Sequence, residues 1–272
     1  DSTNVLRPAV TAVTRVALEH TDYLGDSLAG IAREKAGIAK SGVPLVIGEE
    51  DPEIRAVLAD VGRQAGAAVT QVPPGEMYRG PLGLAGEHQR RNAAIAAAVL
   101  EALPPAWRPG PAAMAMGFAS ARIPGRFDRR GRWVFDVAHN PDGMRALAHT
   151  ILAERLPRPL HALVGILGDK AWGDMLRELM PVSDALWVTD PPSAPAARRW
   201  DLETVGRELE DAQAQAGARD RGSAGQPPVR LEPDFDRALA AVQRRAGTVL
   251  VTGSFHTVGD AMRRLPGFAP LG

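Results

Sequence analysis

From residue 133 onward the chain alternates, and this alternation constrains the fold more than any other feature. RWVFDVA reads as a strand, and a helix starts at Pro141, a position where proline is welcome in a first turn. LHALVGIL (160–167) and DALWVTD (184–190) are strand-like; residues 171–180 and 201–216 between and after them have helical spacing. VRLEP gives a short strand, residues 235–244 a helix, and TVLVTGSFHTVGDAM closes with strand, loop and helix. Strands alternating with helices imply parallel crossovers and a three-layer α/β sandwich, a Rossmann-like domain with a mostly parallel sheet. No G-x-G-x-x-G is present, which argues against a dinucleotide coenzyme. Open sheets of this kind keep ligands at the carboxyl ends of their strands. Asp136 and His139 fall at one such end, and Ser254 and His256 at another. An acid within an apolar strand is costly unless paired or bound to a ligand, which singles out Asp136. Asn140 stands where an N-cap belongs, and Thr257 is the expected cap of the last helix.

The first hundred residues carry a second α/β pattern. Val10, Ala12, Val13, Val16 and Leu18 alternate as a buried strand, placing His20, Thr21 and Asp22 at its carboxyl end. Asp26 or Ser27 can cap the following helix. With Leu28 at zero on a helical wheel, Lys35 comes at about 340°, the middle of the apolar face, and Lys40 near 120°, facing water if the helix continues through Gly37. A lysine there can snorkel, its stem packed and its ammonium reaching an edge. It can also serve chemistry that needs an amine. The chain has only Lys35, Lys40 and Lys170 as lysines among 32 basic residues. Arginine cannot lose its proton, whereas a desolvated lysine can. Reaction of such an amine with carbon dioxide gives a carbamate, an oxygen ligand for a hard cation. Further on, residues 44–48 and 67–72 read as strands and 51–66 as a helix; the Pro/Gly-rich stretch 73–86 is a loop. A helix is predicted over 90–103, with Asn92 in its first turn near the cap. The proline-rich 104–111 segment marks a hinge, giving domains 1–108 and 109–272.

The 32 acidic and 32 basic residues cancel, leaving no electrostatic footprint for nucleic acid or a membrane surface. Cysteine is absent, which removes disulfides, thiolate zinc sites and a cysteine nucleophile, and fits a reducing compartment. The longest apolar run, near 93–100, is far short of a membrane span, and no signal-peptide pattern opens the chain. A cytoplasmic protein is expected.

LEHTDYLGDSLAGIAREKAGIAKSGVP, GEHQRRN, ARIPGRF with RWVFDVAHNP, and GSFHTVGD occur in that order. Together they resemble the folylpolyglutamate synthase/dihydrofolate synthase family of the Mur ligase superfamily. The resemblance implies an ATP-dependent ligase that joins L-glutamate to a folate or dihydropteroate carboxylate through an acyl phosphate. It implies that Lys35 is carbamylated and, with His20, organises Mg2+. Asn92, Arg126 and Asp136 would hold ATP across a domain cleft, His139 would act on the nucleotide or the incoming amino acid, and Ser254 and His256 would contact glutamate. Two positions depart from the family pattern: Glu19 replaces the usual Asp, and Asp142 stands where histidine is common. The phosphate-cradling G-x-x-x-x-G-K-[ST] loop is absent; GILGDK at 165–170 lacks its spacing. The 1–108 part therefore resembles the second half of a Mur-type ATPase domain, and the P-loop segment would have to come from elsewhere. A sibling Mur-type peptide ligase and an inactive nucleotide-binding fragment are the alternative readings.

Overall fold

The computed structural model describes residues 2–16, 27–209 and 227–268. It forms two compact units, one of residues 1–83 and 87–121, the other of 84–86 and 122–272.

The first unit is built on a three-stranded parallel sheet, β1 (Thr11–Val13), β2 (Leu45–Ile47) and β3 (Val69–Gln71), in that spatial order. Two helices make the crossovers: α1 (Leu28–Ala36) and α2 (Pro52–Gln64). Ser27 caps α1, its Oγ accepting from the Gly30 N–H at 3.1 Å. Asp51 caps α2, accepting from the N–H groups of Glu53 and Ile54. Each cap satisfies donors that the first helical turn cannot. Ile31, Ala32, Leu45, Ile47 and Leu58 close one face of the sheet. The other face holds Val46 and Val72 against Ile95 of α3 (Glu87–Glu101). Gly48 is needed there, because a Cβ would stand 2.2 Å from Ile95 Cδ1.

Two features of this unit differ from expectation. α3 begins at Glu87, three residues early, so Asn92 lies in its interior and not near the cap. A further helix, α4 (Pro111–Ser120), follows the proline-rich stretch, with Pro111 in its first turn. Tyr78 meets Phe118 edge-on at 4.8 Å, and the Gly83 N–H donates to the Phe118 carbonyl at 2.8 Å. These contacts keep α4 with the first unit, so the division falls after Ala121 and not at residue 108. The alanine-rich run carries few large apolar side chains, which hid its helical period.

The second unit is a six-stranded sheet of order β4-β5-β9-β6-β7-β8. Its strands are β4 (Asp128–Arg130), β5 (Trp133–Phe135), β6 (Leu160–Val164), β7 (Ala185–Val188), β8 (Val229–Leu231) and β9 (Thr248–Thr252). All neighbours run parallel except β4 with β5. One face is covered by α5 (Pro141–Glu154), α6 (Trp172–Leu179) and α7 (residues 202–209), which bury Met144, Leu147, Met175, Leu176 and Val205. The other carries α8 (Phe235–Gln243) and α9 (Phe255–Arg264), burying Phe235, Leu239, Val242, Val258 and Met262. The expected three layers are present. β4 was not expected: its sequence, DRR, has no apolar face, as suits an antiparallel edge. No helix among the described residues is long and apolar enough to cross a membrane.

Candidate active site

The carboxyl edge of the large sheet gathers five of the residues singled out in the sequence. Asp136 follows β5 directly and is buried. Its Oδ2 accepts from the Phe127 N–H and its Oδ1 from the Ala138 N–H, both at 2.9 Å. The acid is therefore paired, with backbone donors. Burial pushes its carboxyl above the ordinary aspartate value, against the pull of those two N–H groups and of the Arg126 and His139 charges.

That carboxylate holds the I-P-G-R-F turn in place. Gly125 has φ +74°, and a Cβ there would stand 2.9 Å from Val137 Cγ1. The Gly125 carbonyl accepts from the Val137 N–H at 2.8 Å, and the Arg126 N–H donates to the Ile123 carbonyl. Phe127 has φ +46°, in the left-handed region that a bulky residue rarely occupies. Such a conformation costs ~1–3 kcal/mol and persists only when its surroundings enforce it. The Asp136 carboxylate on its N–H and the burial of its ring supply that enforcement. The turn directs Arg126 outward as an exposed cation.

His139 lies just before α5. Its Nδ1 is 3.0 Å from the Val137 carbonyl, which can only accept. The proton is thus on Nδ1, leaving Nε2 as the ring's acceptor nitrogen in the neutral form. The ring rests against Phe255, centroids 5.5 Å apart. Asn140 caps α5, accepting from the Gly143 N–H at 2.7 Å, as expected.

At the neighbouring strand end the expectation for the cap is corrected. Ser254, not Thr257, is the N-cap of α9: its Oγ accepts from the Thr257 N–H. Thr257 Oγ1 donates to the Gly165 carbonyl at 2.6 Å and so receives the Ser254 hydroxyl proton at 2.8 Å. Three residues of helix offset bring the two hydroxyls together, a pairing that strand and helix periods alone do not reveal. His256 Nδ1 lies 3.0 Å from Ser193 Oγ, and the Ser193 N–H donates to Asp260.

The same edge holds a group the sequence reading passed over. Asp190 ends the VTD run after β7, with one carboxylate oxygen 3.2 Å from Arg199 and the other, Oδ1, buried without a hydrogen-bond partner. Burial raises its carboxyl, with Arg199 opposing. The hydroxyls of Thr189 and Thr252 are likewise buried and unpartnered. The signal was available: an acid closing an apolar strand is the pattern that marked Asp136.

In the first unit, Lys35 is half-buried on the side of α1 that carries the fully buried Ile31 and Ala32. The helix stops at Ala36, so the wheel no longer governs Lys40; it is half-buried, its Nζ donating to the Gly37 carbonyl at 2.8 Å. Asn92 is exposed and donates to Gln89 Oε1. The buried Arg91 beside it spreads its guanidinium over the carbonyls of Gly48, Pro73 and Glu76, tying the ends of β2 and β3 to α3. His20 lies outside the described residues. Among the described residues no three His, Cys, Asp or Glu side chains are grouped to hold a metal ion.

Two α/β units, the second with a parallel sheet whose carboxyl edge collects acids, imidazoles and capping hydroxyls, define a Mur-ligase-type protein. Residues 125–255 match the Mur ligase glutamate ligase domain. The dihydrofolate synthase/folylpolyglutamate synthase of Escherichia coli K12 is 33% identical over 285 residues, covering 96% of this chain and 61% of that protein. The corresponding enzyme of Mycobacterium tuberculosis is 38% identical over 240 residues, 75% of this chain and 48% of the relative. Among solved structures, M. tuberculosis folylpolyglutamate synthase complexed with ADP aligns with a TM-score of 0.78 at 32% identity, covering 100% of this chain and 66% of that one. E. coli FolC in complex with DHPP and ADP aligns at 0.77 and 30% identity, covering 97% and 63%. The chain belongs to the folylpolyglutamate synthase/dihydrofolate synthase family, and it spans between about half and two thirds of the length of these relatives.

Proposed function

We propose that this chain supplies the glutamate-ligating part of an ATP-dependent amide-bond ligase that adds L-glutamate to a folate or dihydropteroate carboxylate, in the cytoplasm. The match of residues 125–255 to a glutamate ligase domain carries the reading. The relatives' complexes with ADP support a nucleotide, and a bifunctional folylpolyglutamate synthase/dihydrofolate synthase with Mn, AMPPNP and L-glutamate bound supports a divalent metal and the amino acid. In such a ligase the carboxylate takes the γ-phosphoryl group of ATP, and the glutamate amine displaces phosphate from the acyl phosphate. The P-loop that cradles the phosphates is not in these 272 residues, so the reading requires that segment in addition.

Residue roles follow from the chemistry at hand. Arg126, exposed and set by a rigid turn, suits an anionic phosphate. Asp136 supports the nucleotide site chiefly by holding that turn, and Asn92 offers an exposed amide that can both donate and accept. With Nδ1 facing the Val137 carbonyl, the proposed role of His139 is to take a proton on Nε2 from the incoming ammonium. Ser254 fixes the start of α9, and His256 with Ser193 offers a polar pair to the amino acid. Lys35, as a carbamate, and His20 are the proposed metal donors. A divalent cation so held would neutralise phosphate charge during phosphoryl transfer.

A phosphate-release assay with ATP, L-glutamate and dihydropteroate or folate, run on the chain joined to a P-loop segment of its family, tests the activity. Glutamate-dependent phosphate release is expected. Arg126→Ala should raise the ATP requirement far more than the folate requirement; an equal effect on both would remove Arg126 from the nucleotide. For Lys35, 13C NMR in labelled bicarbonate should show a carbamate carbon that Lys35→Arg abolishes. A spectrum unchanged by that substitution would sink the carbamate.

A further inference from the structure

Away from the carboxyl edge, the face of the large sheet under α8 carries a row of three arginines and a histidine. In spatial order across the strands these are Arg132, just before β5; Arg245, just before β9; His161, in β6; and Arg230, in β8 beside Trp187 of β7. Arg230 and Arg245 both stack on the one Trp187 ring, their guanidinium carbons 4.8 and 5.5 Å from its centroid. His161 meets the same ring edge-on at 5.5 Å. Arg132 lies over Trp133 and donates to the Val242 and Gln243 carbonyls.

None of these three guanidinium groups forms an ion pair with a carboxylate among the described residues; what sets them apart is that two of them share one indole ring. The acid that acts on His161, Asp184, already accepts from Arg158 and from the Leu160 N–H. The Nδ1 of His161 is buried with no hydrogen-bond partner. Two guanidinium groups on one indole repel each other. A buried imidazole nitrogen left bare among them adds a donor when protonated and none of the counter-charge. The cluster thus concentrates positive charge and N–H donors on one face.

We propose that the Arg230–Trp187–Arg245 cluster, with His161 and Arg132 beside it, binds a short oligo-oxyanion, a chain bearing several carboxylate or phosphate groups. The guanidinium forks would take successive oxyanions. The indole would keep both arginine stems extended. Arg132, Arg245, Asp184 and the Ala246 backbone are the groups that face the imidazole. In the unliganded state burial and the two arginines hold its basicity down, and a bound anion reverses the sign of that field. The site stands on this face alone and does not depend on the ligase reading.

Two probes separate the possible sources of such an anion: γ-linked triglutamate and tripolyphosphate. Each is titrated into the chain at low ionic strength by calorimetry, with the His161 ring followed by NMR. Binding of at least one probe is expected, weakened about tenfold or more in R230Q/R245Q and much less in R230K/R245K, which keeps charge and stem. Saturation should move the His161 titration midpoint upward. The probe that binds identifies the source. Failure of both to bind overturns the proposal. So does binding that R230Q/R245Q leaves intact while its thermal midpoint falls, since the arginines would then only cover the tryptophan.

Discussion

Asp136, at the carboxyl edge of the large sheet, and His161, in β6 on the face under α8, are both perturbed first by loss of water, yet the fold treats them differently. Asp136 receives two backbone N–H groups, so its partial charge has acceptors' work to do and its position is fixed on both oxygens. His161 Nδ1 receives nothing, and its charged neighbours include two arginines of like sign. Desolvation favours the neutral form of each, which raises an acid and lowers a base. The lesson is that burial alone does not mark a designed site. The partners distinguish a carboxylate used as a structural clamp from an imidazole in surroundings that want a counter-ion.

Removing the clamp should have the largest effect. Asp136→Ala leaves the Phe127 and Ala138 N–H groups buried without acceptors and frees a left-handed phenylalanine. We expect a loss of about 2–6 kcal/mol in urea unfolding of the second unit, from stranding two buried donors at about 1–3 kcal/mol each. An unchanged midpoint would erase the contrast, because the carboxylate would then hold nothing. Ser254→Ala comes next, at about 1–2 kcal/mol, since it removes a buried N-cap together with the hydroxyl that Thr257 accepts from. A fall no larger than that of an exposed serine would show that α9 is fixed by packing alone.

The smallest effect sharpens the comparison through pH. His161 has a folded basicity below its ordinary value of 6.5, so the unfolded chain binds more protons as pH falls through 6.5. Its contribution to stability is complete above 6.5 and is lost as pH drops toward the folded value. Asp136 acts with the opposite sign at lower pH: its raised carboxyl means that the folded chain holds the proton more tightly above 3.8. Its contribution therefore declines as pH rises through the folded value. Thermal midpoints measured from pH 4 to 8 should lose the upper slope in His161→Gln and keep the lower one. Loss of both slopes, or of neither, would contradict the assignment.

The sequence was most legible where side-chain period and burial coincide. β6, β7 and β9, each flanked by helices with a defined apolar face, were readable because a parallel strand buried on both sides is apolar throughout. β4 and α4 escaped for opposite reasons, one having no apolar residue and the other too little contrast between its faces. At the candidate site, Asp136, His139, Ser254 and His256 could be assigned to one sheet edge from strand ends alone. What each does there could not. The pairing of Asp136 with Phe127 is a contact across a turn, and the Ser254–Thr257–Gly165 chain joins two loops; neither leaves a periodic trace. Asp190 was legible by the rule applied to Asp136 and was overlooked.

Phe127 carries two demands that no single side chain meets well. The backbone at φ +46° would suit glycine or asparagine, while the hydrophobic cluster around it asks for a ring. Glycine would relax the main chain and open a void; any other aromatic would keep the filling and the strain. Variation at this place should consequently be narrow, and a change in it tolerated only when the opposing acid or the surrounding side chains change in the same lineage.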